Sequence, residues 1–336
     1  MDARRLSVRF AWLVVCVLAV IAPGHAADDY TPVQLDSPSF AFAFDINNHR
    51  QVVGRATMPS GETHAALWDE GQLVDLGTLP GGTYSEAYAI NDAGQIVGWS
   101  MTDQSTCTAF DGCWHAFLWE NGTMTDLGGL DPRFQSYAYS INNRGQIAGA
   151  SATADYPFGY WRAVTWLGEH LTELGLPDSA TDVLALGINS RATAVGYAYI
   201  NGRDAPVMWS QGTIIQLPVP AGTSAQASKI NDAGQVIGRS GANHALLWND
   251  GELTILPNPA WAARSEAHDI NNQGVIVGDS LMISTGMIAV RWVNGSPSAL
   301  PRAAGWTESY ARGVNARGDV AGAANINGTR AVVWLK

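Results

Sequence analysis

The sequence predicts an all-β protein, a seven-bladed β-propeller whose blades are four-stranded antiparallel sheets. Three observations lead to this fold class. Two short phrases recur seven times, the copies are spaced like propeller blades, and a segment near the start matches the strand that the last copy lacks. We therefore expect the N-terminal strand of the mature chain to complete the last blade and close the ring.

The first phrase is Ile-Asn, a short turn, Gly-Gln, then a β-branched pair and Gly. Its asparagines, the last one preceded by Val instead of Ile, are Asn47, Asn91, Asn142, Asn189, Asn231, Asn271 and Asn315. The second phrase, small-apolar-x-Trp, ends at Trp68, Trp119, Trp166, Trp209, Trp248, Trp292 and Trp334. These tryptophans are 39 to 51 residues apart, the interval expected of propeller blades.

The second copy shows the four strands of one unit best. We expect its strands a, b, c and d at residues 85–91, 95–100, 115–119 and 123–127. Gly94 and the Asn121-Gly122 pair between them suit tight hairpin turns, because both need residues that tolerate positive φ. No segment has a sustained 3.6-residue apolar period, so the mature chain should contain almost no helix.

The ends of the chain favour a closed ring over an open solenoid, which is the alternative for a repeat of this kind. The last copy has strands a to c, and residues 31–36 resemble strand d of the other copies. Closure also removes the exposed sheet edges of an open array. The predicted blades are residues 40–77, 84–128, 136–175, 182–217, 224–256, 265–300 and 308–336, the last completed by 31–36.

The first 26 residues predict a cleavable export signal, with cleavage after Ala26, and therefore a secreted or periplasmic protein. Arg4, Arg5 and Arg9 precede an apolar run too short to span a bilayer. Removing the leader takes three arginines and one aspartate from 19 basic and 30 acidic residues, leaving a formal charge of −13. This charge argues against nucleic acid as a partner. We expect a monomer without a membrane span.

The phrases resemble those of the HAF-repeat family of probable extracellular proteins. Residues 115–119, His-Ala-Phe-Leu-Trp, match the core that names the family. Residues 75–82 match its Asp-Leu-Gly-x-Leu segment, and 91–98 its Asn-x-x-Gly-Gln-Val-Val-Gly segment. The likeness covers essentially the whole mature chain and implies export and a repeat fold, but no particular reaction. Copies 3, 4, 6 and 7 have another residue in place of the family's histidine.

Most repeated polar and aromatic residues favour structural roles. The seven tryptophans suit packing between blades, and the asparagines suit turn capping. His64, His115 and His244 share one repeat position on three separate blades, too far apart for one metal, so we expect structural hydrogen bonds. Cys107 and Cys113 predict a disulfide that staples one loop of an exported protein. We expect neither a metal nor a cofactor.

Loop lengths indicate where a ligand would bind. The a–b and c–d connections are tight, whereas the b–c and d–a connections are long and variable and fall together on the other face of the disc. That face is rich in aromatic and acidic residues, a composition suited to sugar rings and their hydroxyl groups. The candidate ligand-binding residues are Tyr84, Phe110, Asp111, Trp114, Phe134, Asp155, Tyr156, Tyr160, Trp261 and Trp306. Packing of the loops or of the channel by these rings is the competing interpretation.

Three functional hypotheses follow from the sequence. The first is an exported, non-enzymatic binding protein that presents this face to a glycan, peptide or partner protein. The second is a polysaccharide hydrolase or lyase with loop carboxylates at the channel mouth; buried acids of raised pKa near the channel would favour it. The third is a structural module of the cell envelope.

Overall fold

The computed structural model describes residues 30–103, 113–153, 160–168 and 170–336, and the secondary structure of these residues is strand without helix. The strands form seven four-stranded antiparallel sheets, which confirms the predicted fold class. The strands of blades 1 to 4 are β2 (Ala41–Ile46), β3 (Val52–Thr57), β4 (Thr63–Asp69), β5 (Gln72–Gly77); β6 (Ser85–Ile90), β7 (Ile96–Met101), β8 (Trp114–Glu120), β9 (Thr123–Gly128); β10 (Ser136–Ile141), β11 (Gln146–Ala152), β12 (Trp161–Leu167), β13 (His170–Glu173); β14 (Ala180–Ile188), β15 (Ala194–Ile200), β16 (Arg203–Ser210) and β17 (Thr213–Gln216).

The strands of blades 5 to 7 are β18 (Ala225–Ile230), β19 (Val236–Ser240), β20 (Ala245–Asn249), β21 (Glu252–Ile255); β22 (Arg264–Ile270), β23 (Ile276–Met282), β24 (Gly286–Val293), β25 (Ser296–Ala299); β26 (Ser309–Val314), β27 (Val320–Asn325), β28 (Thr329–Leu335) and β1 (Thr31–Gln34). The four strands of each blade are called a to d from the channel outward. The b–c and d–a loops lie on one side, the loop face, and the a–b and c–d turns on the other, the turn face. In the described part of the chain, no helix has the length and apolarity of a membrane span.

The ring closes as the sequence predicts. Strand β1 pairs antiparallel with β28, with Thr31 opposite Leu335 and Gln34 opposite Val332. Strand a of blade 1 contacts strands of blade 7, as neighbouring blades do elsewhere in the ring. The first and last blades are thus held together by the sheet that both ends of the chain share.

Strand a of every blade carries a β-bulge at the same place, between an Ala and the second residue before the repeated Asn; in blade 1 it lies between Ala43 and Asp45. The bulge brings a strand-a carbonyl very close to the glycine of strand b. In blade 2 a Cβ on Gly98 would stand 1.9 Å from the carbonyl oxygen of Glu86, and the other six blades have the same contact at 1.8 to 2.0 Å. Only glycine fits there, which explains the last residue of the repeated phrase.

The tryptophans join blades, as predicted. Six of the seven are at most 4 % exposed, and Trp119 is partly buried. Each of the six donates its indole N–H to a backbone carbonyl at the end of strand d of the preceding blade or just after it; Trp334, for example, bonds to Pro301 at 2.7 Å. This combination of apolar burial and one satisfied polar atom fits a core role for an indole.

The repeated asparagines do more than the predicted turn capping. In each turn the Oδ1 atom accepts backbone N–H groups two and four residues ahead, as in Asn142 from Arg144 and Gln146 at 2.9 and 3.0 Å. The Nδ2 atom donates to the carbonyl of the equivalent Asn in the next blade, for example Asn189 at 2.8 Å. The seven inter-blade bonds run head to tail and return from Asn315 to Asn47 at 3.1 Å. A closed hydrogen-bonded circle therefore rims the channel at the turn face.

Candidate functional site

Of the ten sequence-predicted site residues, six are described by the structure, and three of these lie where a ligand could reach them. Tyr84 and Trp114 stand on blade 2 at the loop face and contact the ring of Trp99, at centroid distances of 5.3 and 5.9 Å. Tyr160 is 36 % exposed, and the guanidinium of Arg162 lies over its ring.

The other predicted aromatics are placed differently. Phe134 lies beside the guanidinium of Arg133 on the d–a loop of blade 2. Trp261 is partly buried against the core between blades 5 and 6. Trp306 is 8 % exposed and packs edge-on against Trp334, 5.8 Å between centroids, so it belongs to the core.

Part of the predicted site falls outside the described residues, namely Phe110, Asp111, Asp155 and Tyr156. Cys107 lies there too, and Cys113 is fully buried. The proposed disulfide and this part of the ligand site therefore stay predictions.

A continuous band of aromatic rings lines one side of the channel towards the loop face. Its members are partly exposed and touch one another at centroid distances of 5.1 to 6.2 Å. This aromatic arc consists of Tyr310, Phe42, Phe44, Tyr84, Tyr88, Trp99, Trp114, Tyr137, Tyr139 and Trp161, on blades 7, 1, 2 and 3. It contains two residues of the predicted site, Tyr84 and Trp114.

Strand a places the innermost rings of the arc. On blade 2, Tyr88 is the bulge residue, and on blade 1 it is Phe44; the two rings meet edge to face at 5.6 Å. A bulge re-aims the side chain of its unpaired residue, so the repeated irregularity supplies one channel-lining side chain per blade. The sequence pattern does not identify them, because the repeated phrase is defined by the residues that its copies share, and these positions vary from copy to copy.

The tyrosines of the arc are protonated hydrogen-bonding groups at neutral pH. Burial raises the pKa of Tyr137 and of Tyr84 to about 12, and the neighbouring carboxylate Glu86 contributes to the shift of Tyr84. Tyr84 donates its hydroxyl proton to Glu86 at 2.6 Å and accepts from Arg55 at 2.7 Å. Arg55 also forms an ion pair with Glu86. The arc thus combines flat apolar faces with fixed polar atoms.

Across the channel, the equivalent positions on blades 5 and 6 are polar. This polar arc consists of Gln226, Ser228, Glu266 and His268. Gln226 donates to Asp204 at 2.7 Å and accepts from Arg239 at 3.2 Å. Arg239 also lies 3.6 Å from Glu266, so it links the two blades.

Two cavities open beside the polar arc. One, of about 210 Å³, lies between blades 4 and 5 against Asp204, Gln226 and Arg239. The other, of about 100 Å³, lies between blades 6 and 7 and is called the blade 6–7 cavity; it is lined by Arg264, Ser265, Glu266, His268, Asp279, Met287, Tyr310 and Arg312. A third space, of about 210 Å³, lies at the turn face inside the ring of asparagines.

Two partly buried acids, Asp45 and Asp269, lie lower in the channel, below the aromatic arc. Burial, and then the charge of Asp269, raise the pKa of Asp45 from 3.8 to about 7, while Lys229 opposes the shift. Burial also raises the pKa of Asp269. Both carboxylates accept backbone N–H groups of the next blade, Ile90 for Asp45 and Val314 for Asp269, at 3.0 and 2.7 Å. These bonds give the acids a structural role in joining blades.

Two of the three histidines at the family position make the structural hydrogen bonds that we predicted, with partners the sequence had not identified. The third, His244, shows no side-chain hydrogen bond among the described residues; its backbone N–H bonds to Ser240 at 3.2 Å. His64 and His115 bond through Nδ1 to Asp75 and Asp126 of the adjacent strand d, at 2.9 and 2.7 Å. In blade 3, Arg162 replaces the histidine and Glu173 replaces the aspartate, and the two side chains form an ion pair at 3.7 Å.

Within the described residues, no group of three or more His, Cys, Asp or Glu side chains is arranged to hold a metal ion.

No protein-family model matches the chain, and no curated protein does; membership of the HAF-repeat family stays a prediction. Solved structures do resemble it. Virginiamycin B lyase from Staphylococcus aureus superposes with a TM-score of 0.59 at 11% identity, covering 91% of this chain and 99% of that one. Puromycin hydrolase superposes with a TM-score of 0.57 at 12% identity, and the match covers 90% of this chain and 54% of the hydrolase. YCF48 bound to D1 peptide superposes with a TM-score of 0.53 at 11% identity, and the match covers 93% of this chain and 96% of YCF48. At such identities the likeness shows the shared propeller fold alone.

Proposed function

We propose that this is an exported carbohydrate-binding protein whose ligand sits at the loop-face mouth of the central channel. The supporting observation is the asymmetry of the channel wall. A continuous aromatic arc covers blades 7 and 1 to 3, and hydrogen-bonding side chains occupy blades 5 and 6. Sugar rings present apolar faces and a rim of hydroxyl groups, so they suit a site with one aromatic and one polar wall.

The protonation states support a polyhydroxylated ligand. The tyrosines keep their hydroxyl protons because their pKa values are raised, and Gln226 offers both a donor and an acceptor. Several charged groups are already compensated within the wall, as Arg55 is by Glu86 and Arg239 by Glu266. The rigid propeller holds these groups in place before the ligand arrives, which reduces the entropy cost of binding.

A glycan-array screen of the mature protein, followed by calorimetry on the hits, tests this proposal. Trp99→Ala and Trp161→Ala should each weaken binding by roughly 30-fold, since truncating a central aromatic anchor costs about 2 kcal/mol or more. Tyr199→Ala is the matched control, because Tyr199 is 43 % exposed on blade 4 and forms no ring contact within the described residues. Equal affinities for all four proteins, or binding of peptides and no glycan, would refute the proposal.

A further inference from the structure

The blade 6–7 cavity holds a histidine that a buried carboxylate orients. His268 lies at the bulge of strand a in blade 6, and its Nε2 atom is 3.1 Å from Oδ2 of Asp279. The side chain of Asp279 is 2 % exposed; it accepts the backbone N–H of Ala311 at 2.9 Å and forms an ion pair with Arg312. These partners fix both the charge and the direction of the carboxylate.

This arrangement determines which nitrogen of His268 carries the proton. Asp279 is ionised, because the positive charge of Arg312, followed by the contacts with His268, holds its pKa below the ordinary value against the effect of burial. An ionised carboxylate only accepts hydrogen bonds, so Nε2 must donate. Nδ1 is then the atom with the lone pair, and it forms no hydrogen bond with any other part of the described chain. The imidazole lines the cavity and is about a quarter exposed.

Two further groups of the cavity complement this base. Tyr310 is a proton donor, since burial and Glu308 raise its pKa to about 12. Arg264 is exposed at the rim and forms no ion pair in the part of the chain that the structure describes. A base with a free lone pair, a protonated phenol and an uncompensated cation thus line one space.

We propose that the blade 6–7 cavity is a catalytic site for β-elimination on a glycan that contains uronic acid. This inference rests on the proposed carbohydrate binding and adds a reaction to it. The carboxylate of the uronosyl residue would pair with Arg264, which lowers the cost of forming negative charge at the adjacent carbon. The cavity of about 100 Å³ has room for that carboxylate and part of one ring.

The bond changes balance without any oxidant or cofactor. Nδ1 of His268 removes the proton from C5, next to the carboxylate. The electrons of that C–H bond form the C4–C5 double bond, and those of the C4–O bond leave with the glycosidic oxygen. Tyr310 protonates this oxygen, and the imidazolium then returns its proton to the tyrosinate, which restores both groups.

The same geometry predicts how the rate depends on pH. Burial, and then the positive charge of Arg312, lower the pKa of His268, although Asp279 and Glu266 act in the opposite direction. Tyr310 also faces this space, with Glu308 beside its hydroxyl. His268 should therefore be neutral from mildly acidic pH upward. The rate should rise with pH and reach its plateau at a pH below 6.5, which is about the ordinary pKa of histidine.

The experiment offers the mature protein polygalacturonate, alginate and a carboxyl-reduced polygalacturonan, and follows the ultraviolet absorbance of the conjugated unsaturated product. We expect product from a polyuronate and none from the reduced polymer. His268→Gln keeps a donor for Asp279 and lacks the base, so the rate should fall roughly 10² to 10⁴-fold. Tyr310→Phe should also lower the rate, whereas His170→Gln and Tyr199→Phe, at exposed positions, should not.

The outcomes separate this inference from the function on which it rests. Binding of polyuronates without any unsaturated product at saturation would overturn the catalytic inference and leave carbohydrate binding intact. Failure to bind any glycan would remove both. Product formed equally by His268→Gln, with unchanged affinity and melting temperature, would show that another group is the base. A rate that does not fall at acidic pH, where His268 would be protonated, would also count against His268 as the base.

Discussion

Replacing one asparagine of the hydrogen-bonded circle by alanine tests whether the circle stabilises the propeller. We choose Asn142, which is 6 % exposed. Its side chain accepts from two backbone amides at 2.9 and 3.0 Å, and donates to Gln146 at 2.9 Å and to the carbonyl of Asn189 at 2.8 Å. Four hydrogen bonds are lost at about 1 kcal/mol each, and buried partners are left unsatisfied. We expect Asn142→Ala to lower the free energy of unfolding by roughly 3 to 5 kcal/mol.

The neighbouring Asn143 is the matched control. It also bonds across the blade interface, to the backbone and carboxylate of Asp92 at 2.9 Å each, but at an exposed position. Water replaces such bonds readily, so Asn143→Ala should cost less than about 1 kcal/mol. Asn142→Asp separates the two halves of the effect, because it keeps the accepted bonds and loses the donated ones.

Urea denaturation followed by tryptophan fluorescence measures all three variants, since the reporter indoles lie between blades. Equal small shifts of the transition for Asn142→Ala and Asn143→Ala would show that the circle does not stabilise the propeller. An Asn142→Asp variant that matches the wild type would show that the inter-blade bonds contribute nothing.

Three other perturbations have outcomes fixed by the structure. Gly98→Ala places a Cβ 1.9 Å from the carbonyl oxygen of Glu86, so its melting temperature should drop by many degrees or the protein should fail to fold; an unchanged melting curve contradicts this. Deleting residues 30–36 removes strand d of blade 7 and exposes the edge of β28, so size-exclusion chromatography should show association, and a monomer of wild-type stability would argue against closure. Asp45 has its pKa raised from 3.8 to about 7, mainly by burial and then by Asp269, so the native state binds the extra proton. The wild type should therefore lose stability relative to Asp45→Asn as pH rises from about 4 to about 7, and a pH-independent difference between urea curves would exclude this.

The sequence was sufficient for the fold because the residues that define a blade are repeated. The Asn, Gly and Trp of each copy act at one place in every sheet, so their recurrence predicts the number of blades, and the likeness of residues 31–36 to strand d predicts the closing strand. Strand bounds in blade 2 agree with prediction to within one residue at each end. In blade 4, strand a begins at Ala180, two residues before the predicted start of the blade.

The candidate site was predicted only in part, for a physical reason. Sequence reasoning assigned function to loops, and it found Tyr84 and Trp114 at the edge of the aromatic arc. The inner rings, such as Tyr88 and Tyr139, stand on strand a. Side chains of a regular strand alternate between its two faces, but a bulge breaks this alternation, so the pattern does not predict which way these rings point. The contact between His268 and Asp279 joins two strands of one blade across 11 residues, and the sequence shows no pattern that pairs them.

Along strand a of each blade, positions that hold the backbone in place alternate with positions whose side chains line the channel. The small residue, the glycine contact and the asparagine fix the backbone, so the side chains five and three residues before the asparagine are free of any role in closure. In blade 1 these are Phe42 and Phe44, and in blade 6 they are Glu266 and His268. The ring of hydrogen bonds at the turn face ties each blade to the next, and neither of these two positions takes part in it, so substitutions there change the chemistry of the channel and leave the inter-blade bonds in place. Two such positions in each of seven blades make fourteen channel positions that can change while the fold stays constant. We expect selection for a ligand to have produced the aromatic side and the polar side of the channel at these positions.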